Sequence, residues 1–284
     1  MPTVVCMLVH GDRSYYRAGA EAARSVLRWT PFRLFLAHGD EAMLPLAPST
    51  RVRLYALRDR VGSRHRAHRF LRKFQALEAV LATCTEERVL LLDADAVFVR
   101  PCSERMVTEA LGDHPIAMVE QPTVSGSSMG RSDFLAHYVR HTLALLAPRT
   151  EPPAVGDFRY FNSGVVLATS AELERLTQWA RSIIGAIAGE HQVGEHMVAD
   201  QDYFQLWTNT LHPHRAAALP WYWNHCEHWH RAFPRLGTLI AHFSNFCDGP
   251  AARTPQRMRA LQRGPWHWTN RLQGAWIDAR PRSA

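Results

Sequence analysis

The strongest constraint on the fold is the alternation of short apolar runs with segments of helical spacing along the chain. The apolar, β-branched runs predict strands at Val4–Val9, Arg33–Ala37, Val52–Leu57, Val89–Leu92, Ala96–Val99, Ile116–Val119, Gly164–Ala168 and Thr238–Phe243. Helical spacing predicts helices at Arg17–Arg28, Phe70–Ala82, Ser103–Leu111, Asp133–Leu146, Ala171–Ile187 and Asp200–Thr208. Because strands and helices alternate early in the chain, we expect an α/β protein with βαβ units around a mostly parallel central sheet.

The composition fits one globular domain followed by a basic tail. The 284 residues are 46% hydrophobic and 21% charged, which is typical of a soluble folded protein and disfavours a disordered or fibrous one. The net charge of +7 is concentrated after residue 250, where seven arginines stand against a single acid, Asp278. We therefore expect a domain over residues 1–250 and a basic, tryptophan-containing tail over residues 251–284.

Three features of the sequence favour a cytoplasmic location. No apolar run reaches the roughly 18 residues that a membrane span needs. The start of the chain, MPTVVCMLVHGD, has no basic region before its apolar run and predicts a first strand in place of a signal peptide. The five cysteines show no C-x-x-C spacing, which disfavours a disulfide framework or a cysteine-rich zinc site and fits a reducing compartment.

The stretch RVLLLDADAVFVRP, residues 88–101, carries two aspartates at the end of a predicted buried strand. Ligands of α/β sheets bind beyond the carboxyl ends of the strands, and an extended chain turns Asp93 and Asp95 to the same side. Two neighbouring carboxylates suit Mg²⁺ or Mn²⁺ that completes its shell with substrate phosphates. On spacing alone, a solvated turn in which one aspartate caps the next segment is an equally good interpretation. An aspartate-based phosphatase is disfavoured because Val97 stands where that class has a threonine or a similar residue.

Six segments, in a common order, give the chain a resemblance to a known family. They are Tyr16–Ala20 (YRAGA), Lys73-Phe74, LLLDADAVFVRP, Tyr160–Thr169 (YFNSGVVLAT), Ala199–Gln205 (ADQDYFQ) and Ile240–Asn245 (IAHFSN). With these segments the chain resembles the GT-A glycosyltransferases. It is most similar to the retaining branch, glycosyltransferase family eight, which includes glycogenin and the bacterial lipopolysaccharide galactosyl- and glucosyltransferases. The resemblance implies a Rossmann-like GT-A fold with a small C-terminal helical extension, and transfer of a hexose from a UDP-sugar to an acceptor hydroxyl with retention of configuration.

The same resemblance implies a metal site made from distant parts of the chain. Asp93 and Asp95 would ligate Mn²⁺ or Mg²⁺, and His242 would supply a third ligand from the last predicted strand. Asp93 would also contribute to binding of the nucleotide sugar. Taken alone, His242 lies between apolar neighbours and is more typical of a hydrogen-bonded core histidine than of a ligand.

Five residues would bind the donor or act at the reaction centre, as the resemblance implies. Asn162 and Asp200 would hold hydroxyls of the donor sugar, and Gln201 would sit beside the anomeric carbon, where the acceptor arrives. Lys73 would contact the donor sugar or the diphosphate, and Tyr16 would stack near the uracil. Ordinary structural interpretations exist as well, because N-S-G is common turn chemistry and a lysine often lies on the solvated face of a helix.

The C-terminal segment departs from the family pattern. The glycine and the lysine that follow the histidine in the family correspond to Asn245 and Asp248 in this chain. That lysine normally binds the diphosphate, and Arg253 is the nearby residue able to replace it. The departure keeps a second hypothesis open, namely a catalytically inactive sugar-nucleotide-binding protein of the same fold.

Two segments lie outside the resemblance. The cluster WYWNHCEHWH, residues 221–230, favours an aromatic wall for the acceptor, with a Zn²⁺ site as the alternative.

The tail combines its arginines with Trp266, Trp268 and Trp276, which suits either a peripheral anchor on anionic lipid or a helix packed on the domain with a solvated basic face. No nucleic-acid-binding motif accompanies the basic residues, so we expect no nucleic-acid partner. The pattern leaves the acceptor open among a glycan, a lipid, a peptide and a small natural product.

Overall fold

Strands and helices alternate through the first part of the computed structural model, which describes residues 1–40, 43–57, 68–121, 123–124, 127–128, 130–187, 198–226, 237–243 and 254–263. The strands are β1 (Thr3–Val9), β2 (Arg33–His38), β3 (Val52–Ala56), β4 (Arg88–Asp93), β5 (Ala96–Phe98), β6 (Ile116–Glu120), β7 (Thr123–Val124), β8 (Ser127–Ser128), β9 (Phe161–Thr169), β10 (Ala216–Leu219), β11 (His225–Cys226) and β12 (Ile240–His242). The helices are α1 (Arg13–Trp29), α2 (His68–Thr83), α3 (Glu104–Leu111), α4 (Arg131–Tyr138), α5 (Ala144–Leu146), α6 (Ser170–Ile187), α7 (Asp200–Leu206) and α8 (Thr254–Arg263). A π-helical turn, Val139–Leu143, joins α4 to α5, and a second one, Trp207–Leu211, follows α7.

Seven strands form the central sheet, in the order β10-β6-β9-β4-β1-β2-β3. Only β9 runs against its neighbours β4 and β6, whereas the other described pairs of this sheet are parallel. Helices cover both faces, with α1, α3 and α8 packed into one apolar cluster and α2, α6 and α7 into the other. The predicted α/β class, with a mostly parallel, Rossmann-like sheet flanked by helices, is therefore confirmed.

A second sheet of three short strands joins distant parts of the chain. β12 lies between β11 and β5, parallel to β11 and antiparallel to β5. In this register His242 pairs with Ala96, and the backbone N–H of Phe243 donates to the carbonyl oxygen of Asp95 at 3.0 Å. The C-terminal strand is thereby held beside the turn that follows β4.

The first helix begins earlier than its apolar spacing predicts. α1 starts at Arg13, four residues before the predicted start, because the side chain of Asp12 accepts hydrogen bonds from the backbone N–H groups of Ser14 and Tyr15. Such an N-cap satisfies donors that the first helical turn leaves without partners. The cap therefore extends the helix beyond its apolar stripe.

The later strands differ most from the prediction. β9 begins at Phe161 and includes the buried polar residues Asn162 and Ser163, which an apolar pattern does not assign to a strand. β10 has the sequence AAAL, without the β-branched or large apolar residues that mark a strand such as β1. The two-residue strands β7, β8 and β11 are likewise absent from the prediction, because such short segments carry little periodicity. Helix α8 lies in the tail, where the resemblance implies a small helical extension.

The described part of the basic tail packs on the domain. α8 buries Met258 and Leu261 against the α1 side of the core. Arg259 donates two hydrogen bonds to the buried carboxylate of Glu21, at 2.9 and 2.6 Å. The predicted domain boundary after residue 250 falls between residues 244 and 253, outside the described residues. Within the described ranges, no helix has the length and apolar character needed to cross a bilayer.

Candidate functional site

Two aspartates follow β4 at the carboxyl edge of the central sheet. β4 is buried up to Leu92 because helices cover both faces of the sheet, and Asp93 is its first partly exposed residue. Asp95 lies in the turn between β4 and β5, with 13% of its side chain exposed. The two carboxylates thus stand at the edge where α/β sheets bind ligands.

His242 joins these two aspartates to form the one group of acids and histidines, among the described residues, able to hold a metal ion. Each of the three offers a ligand atom, and the three atoms lie within 4.8 Å of one another. Nε2 of His242 is 3.3 Å from Oδ1 of Asp95 and 3.8 Å from Oδ2 of Asp93. Two carboxylate oxygens and one imidazole nitrogen make a donor set that a divalent cation can use. The residues present therefore fit the metal that the resemblance implies.

The electrostatics of this group favour positive charge. Burial works to lower the pKa of His242, but the carboxylates of Asp95 and Asp93 outweigh burial, so that pKa is raised above its ordinary value. The cause is the proximity of two negative groups to one ring nitrogen. A cation bound between the two carboxylates would be stabilised by the same negative charges.

Glycine at position 164 allows β9 to approach the imidazole. A Cβ atom at Gly164 would lie 2.2 Å from Cε1 of His242, 2.8 Å from its Nδ1 and 2.9 Å from Oδ1 of Asn162. These distances are far below van der Waals contact. The glycine of the N-S-G segment is therefore required by the close packing of the histidine ring on the strand, and not by a turn.

Lys73 links the metal group to the start of α7. Its ammonium lies 2.8 Å from Oδ1 of Asp93, 2.5 Å from Oδ2 of Asp200 and 3.3 Å from the carbonyl oxygen of Ser163. Burial would lower the pKa of Lys73, but the charges of Asp200 and Asp93 raise it above its ordinary value. The lysine is thus a fixed positive charge whose three hydrogens have three acceptors. The contact of Lys73 with the donor sugar or diphosphate stays a prediction. A donor oxygen bound there would have to share an ammonium hydrogen with Asp93, Asp200 or Ser163.

Side chains of β9 and α7 meet at the predicted reaction centre. The hydroxyl of Ser163 donates to Oδ2 of Asp200 at 2.7 Å, and Nδ2 of Asn162 donates to Oε1 of Gln201 at 3.1 Å. Nε2 of Gln201 donates to Oε1 of Gln121 at 3.4 Å. Together with the contacts of Lys73 and those of His242 with the two aspartates, these bonds bring together seven of the predicted site residues, which are Lys73, Asp93, Asp95, Asn162, Asp200, Gln201 and His242.

The second aspartate of the D-Q-D segment orients α7. Oδ2 of Asp202 accepts a hydrogen bond from the backbone N–H of Ala199 at 2.8 Å, and its Oδ1 accepts one from the hydroxyl of Thr142. Burial raises the pKa of Asp202 to about 6, and the charge of Asp200 acts in the same direction. Asp202 therefore holds the start of the helix, whereas Asp200 faces Lys73.

Tyr16 lies apart from this group. Its side chain is 1% exposed, and its hydroxyl accepts a hydrogen bond from the backbone N–H of Asp40 at 2.7 Å. A base can stack on the Tyr16 ring only if the ring leaves this buried position. Its role at the uracil stays a prediction.

The aromatic cluster at residues 221–230 is partly described. Trp223, Asn224, His225 and Cys226 are 1% exposed or less, so within the described part of the cluster an acceptor wall is limited to the partly buried Trp221 and Tyr222. The metal-binding group found among the described residues does not include His225 or Cys226. The rest of the cluster, residues 227–230, lies outside the described residues, as do Asn245, Asp248, Arg253 and the tail after residue 263.

Sequence reasoning missed Asn224, which connects two of the predicted site residues. Its Nδ2 donates to Oδ1 of Asn162 at 2.8 Å, and its Oδ1 lies 2.9 Å from Nδ1 of His242. The signal in the sequence is an asparagine inside an aromatic run, because a buried amide requires hydrogen-bond partners. The sequence does not say which partners those are.

Comparisons with known proteins support the fold. No family model matches the sequence, and no curated protein matches it significantly. Among solved structures, the galactosyltransferase LgtC in complex with donor and acceptor sugar analogues matches with a TM-score of 0.57 and 14% identity, over 92% of this chain and 95% of that chain. An active-site Gln-to-Glu mutant of LgtC matches with a TM-score of 0.56 and 14% identity, over 94% of this chain and 99% of that chain. Identity this low establishes the architecture alone, and the chain has the GT-A fold of the galactosyltransferase LgtC.

Proposed function

We propose that this chain is a metal-dependent glycosyltransferase that moves a hexose from a UDP-sugar to an acceptor hydroxyl with retention of configuration. The observation that carries the proposal is the convergence of Asp93, Asp95 and His242 at the ligand-binding edge of a GT-A fold. A chance D-x-D turn would not require a histidine from almost 150 residues later in the chain to face both carboxylates. Convergence of this kind is typical of a cation site.

The charges around the group support a divalent cation. The ammonium of Lys73 pairs with the carboxylates of Asp93 and Asp200, and the carboxylate of Asp95 lies beside that of Asp93 in the metal group. The cluster therefore carries excess negative charge, which is unfavourable at short range in a partly buried place. Mn²⁺ or Mg²⁺, when bound, would balance this charge and neutralise the diphosphate of the departing nucleotide as a Lewis acid.

The protein side chains would mainly position the reactants. Asn162 has three of its four hydrogen-bonding directions taken, by Gly164, Asn224 and Gln201. The remaining hydrogen of Nδ2 is the one available to a hydroxyl of the donor sugar. Asp200, fixed by Lys73 and Ser163, would hold another hydroxyl, as the resemblance implies. Such positioning can account for a large share of a rate enhancement.

The reaction would follow front-face attack. The acceptor oxygen would bond to the anomeric carbon while the bond from that carbon to the diphosphate oxygen breaks, and the acceptor proton would pass to the departing oxygen. A covalent route needs a carboxylate close to the anomeric carbon, and the resemblance puts the amide of Gln201 there. An active-site glutamine is also the residue changed in the LgtC mutant, and the complex of LgtC with donor and acceptor sugar analogues favours a sugar acceptor for this chain.

The test of the proposal is the release of UDP from a panel of UDP-hexoses by purified protein with Mn²⁺. We expect Asp95→Asn to reduce turnover roughly 100-fold or more, the loss seen when a group that stabilises transition-state charge is removed. The matched control is Asp113→Asn, the same change at an exposed aspartate outside the site. Turnover near the wild-type rate in Asp95→Asn would contradict the metal assignment. Retention is checked by recording the anomer released on donor hydrolysis with NMR before it mutarotates.

The second candidate is an inactive sugar-nucleotide-binding protein, which Asn245 and Asp248 favour because the diphosphate-binding lysine of the family is replaced by an acid. The same panel separates the two candidates. An inactive binder gains thermal stability with a UDP-sugar and Mn²⁺ but releases no UDP. An active enzyme does both.

We further infer a cytoplasmic protein whose tail contacts anionic lipid. In α8, the apolar residues Met258 and Leu261 already pack against the domain, so membrane contact would fall to the arginines and tryptophans after residue 263. Co-sedimentation with vesicles containing phosphatidylserine tests this, with a chain truncated after residue 263 as the control. Equal binding by both chains would contradict the inference.

A further inference from the structure

Asn224 lies between two site residues and belongs to neither the metal group nor the family motifs. It precedes β11, and its side chain is 0% exposed. Its amide spans from Oδ1 of Asn162, at 2.8 Å, to Nδ1 of His242, at 2.9 Å. The two bonds place one amide between β9 and β12, the strands that carry those residues.

A backbone group determines which way the amides point. The N–H of Gly164 donates to Oδ1 of Asn162 at 2.9 Å, and a backbone N–H can only donate. The oxygen of Asn162 is therefore fixed at this end of its amide. It then accepts its second hydrogen bond from Nδ2 of Asn224, which leaves the oxygen of Asn224 facing Nδ1 of His242.

The orientation of Asn224 selects one tautomer of His242. An amide oxygen accepts hydrogen bonds, so Nδ1 of the ring carries the hydrogen. In the neutral imidazole, Nε2 then has no hydrogen, and this atom faces Asp95 at 3.3 Å and Asp93 at 3.8 Å. The other tautomer would set two acceptors 2.9 Å apart and would point an N–H at Asp95, into the space that a cation needs.

The opposite end of Asn162 is fixed in the same way. Its Nδ2 donates to Oε1 of Gln201, and the backbone N–H of Ser163 points at the same oxygen at 3.5 Å. Gln201 then directs its Nε2 to Gln121. Every bond from His242 to Gln121 thus runs in one direction, and hydrogen bonds aligned in a chain polarise one another.

We infer that Asn224 is a positioning residue that sets the tautomer and orientation of His242, so that Nε2 presents its lone pair to the cation. The inference rests on the proposed function in taking His242 as a metal ligand. Partners that orient a ligating histidine commonly contribute 10- to 100-fold to metal affinity. The role extends to the donor side, because the same amide holds the oxygen of Asn162.

Mn²⁺ affinity, measured by the loss of the free-ion EPR signal, tests this role without a donor sugar. We expect Asn224→Leu to weaken binding about 10- to 100-fold. Asn224→Asp keeps an acceptor for Nδ1 of His242, and we expect it to restore most of the affinity. A merely structural role would not produce this difference, since both variants lose the bond to Asn162. Unchanged affinity in Asn224→Leu, or equal loss in both variants, would overturn the inference.

Asn209 supplies a matched control. It is another buried asparagine, bonded to the backbone of Arg159 and to Gln205, and it contacts none of the metal group in these bonds. Asn209→Leu removes the same amide at a similar cost in folding. We expect its melting temperature to fall while its Mn²⁺ affinity stays unchanged.

A direct readout on the unmodified chain covers the case in which the variants do not fold. Long-range ¹⁵N–¹H NMR spectra of metal-free protein report which ring nitrogen carries hydrogen, with His242 assigned by comparison with His242→Gln. At a pH where the ring is neutral, hydrogen on Nδ1 supports the inference and hydrogen on Nε2 overturns it. If this tautomer and the Mn²⁺ results hold but no UDP-sugar is turned over, the proposed function fails and the role of Asn224 stands.

Discussion

Replacement of Gly164 by alanine should weaken Mn²⁺ binding much more than it weakens the stability of the fold. The new Cβ would lie 2.2 Å from Cε1 of His242, whereas carbon atoms in contact stay roughly 3.5 Å or more apart. The ring would therefore have to move by about 1.3 Å, because the backbone of β9 is held in the middle of the sheet between β4 and β6. Metal ligands tolerate deviations of only about 0.2 Å. We expect Mn²⁺ affinity to fall at least roughly 10-fold, as on loss of a partner that orients a ligand.

The cost in stability should be smaller than the cost in metal binding. Overpacking of a well-packed site costs roughly 1–3 kcal/mol, which for a chain of this size lowers the melting temperature by roughly 2–12 °C. The assay is EPR titration of Mn²⁺ at a temperature at which both proteins are folded, with the melting curve recorded on the same samples.

Two glycines serve as controls for this variant. At Gly156 an added Cβ meets no atom within 4 Å, so Gly156→Ala should change neither property. At Gly19 the added Cβ would lie 2.4 Å from Cγ2 of Val9, away from the metal group, so Gly19→Ala should reduce stability and leave Mn²⁺ affinity intact. Wild-type affinity in a folded Gly164→Ala variant would refute the argument that this glycine sets the position of the imidazole.

Three further predictions concern charges. Lys73→Met leaves the partly exposed carboxylate of Asp93 and the buried carboxylate of Asp200 without their cation. We expect the free energy of unfolding in urea to fall by roughly 3–5 kcal/mol, and a midpoint like that of the wild type would contradict this. Burial would raise the pKa of Glu172, but hydrogen bonds from two arginines and a tryptophan lower it. The stabilisation that the Glu172 carboxylate contributes is therefore lost as pH falls through the lowered pKa. Glu172→Gln should lower the urea midpoint at neutral pH and should remove this loss of stability at acidic pH. For Asp202, the pKa is raised from 3.8 to about 6, so its own contribution to stability should fall by about 3 kcal/mol as pH rises across that interval. The difference in melting temperature between the wild type and Asp202→Asn should change with pH over the same interval, and a constant difference would contradict this.

The central sheet could be predicted from the sequence because two signals identify its main strands, namely their apolar composition and the polar or turn residues at their ends. Each of β1, β2 and β4 is both apolar and β-branched or leucine-rich, and each is bounded by polar or turn residues. The second sheet could not be predicted in the same way. Its strands β5 and β12 fall within the predicted strands Ala96–Val99 and Thr238–Phe243, but β11 spans only two residues. The pairing of β12 with β5 joins residues about 140 positions apart, which no local periodicity records.

The site residues also differ in whether local sequence patterns could identify them. Asp93 and Asp95 could be found from spacing, because a pair of charges after a buried strand is unusual in itself. Asn162, Asp200, Gln201 and His242 required the family resemblance, since each is an ordinary residue in its own segment. Asn224 was found by neither route.

The charges of the side chains in the cluster do not balance one another, and a functional site is where rules of local stability are expected to fail. Lys73 neutralises only part of the charge of three carboxylates, and His242 turns a ring nitrogen toward two of them at 3.3 and 3.8 Å. A core selected for stability alone would replace such groups with apolar residues of similar volume, often without loss. A residual charge imbalance that several distant segments maintain together is instead typical of a functional site, where stability is given up for binding. If the cluster binds a divalent cation as proposed, Mn²⁺ should raise the melting temperature of the wild type more than that of any variant that disturbs His242.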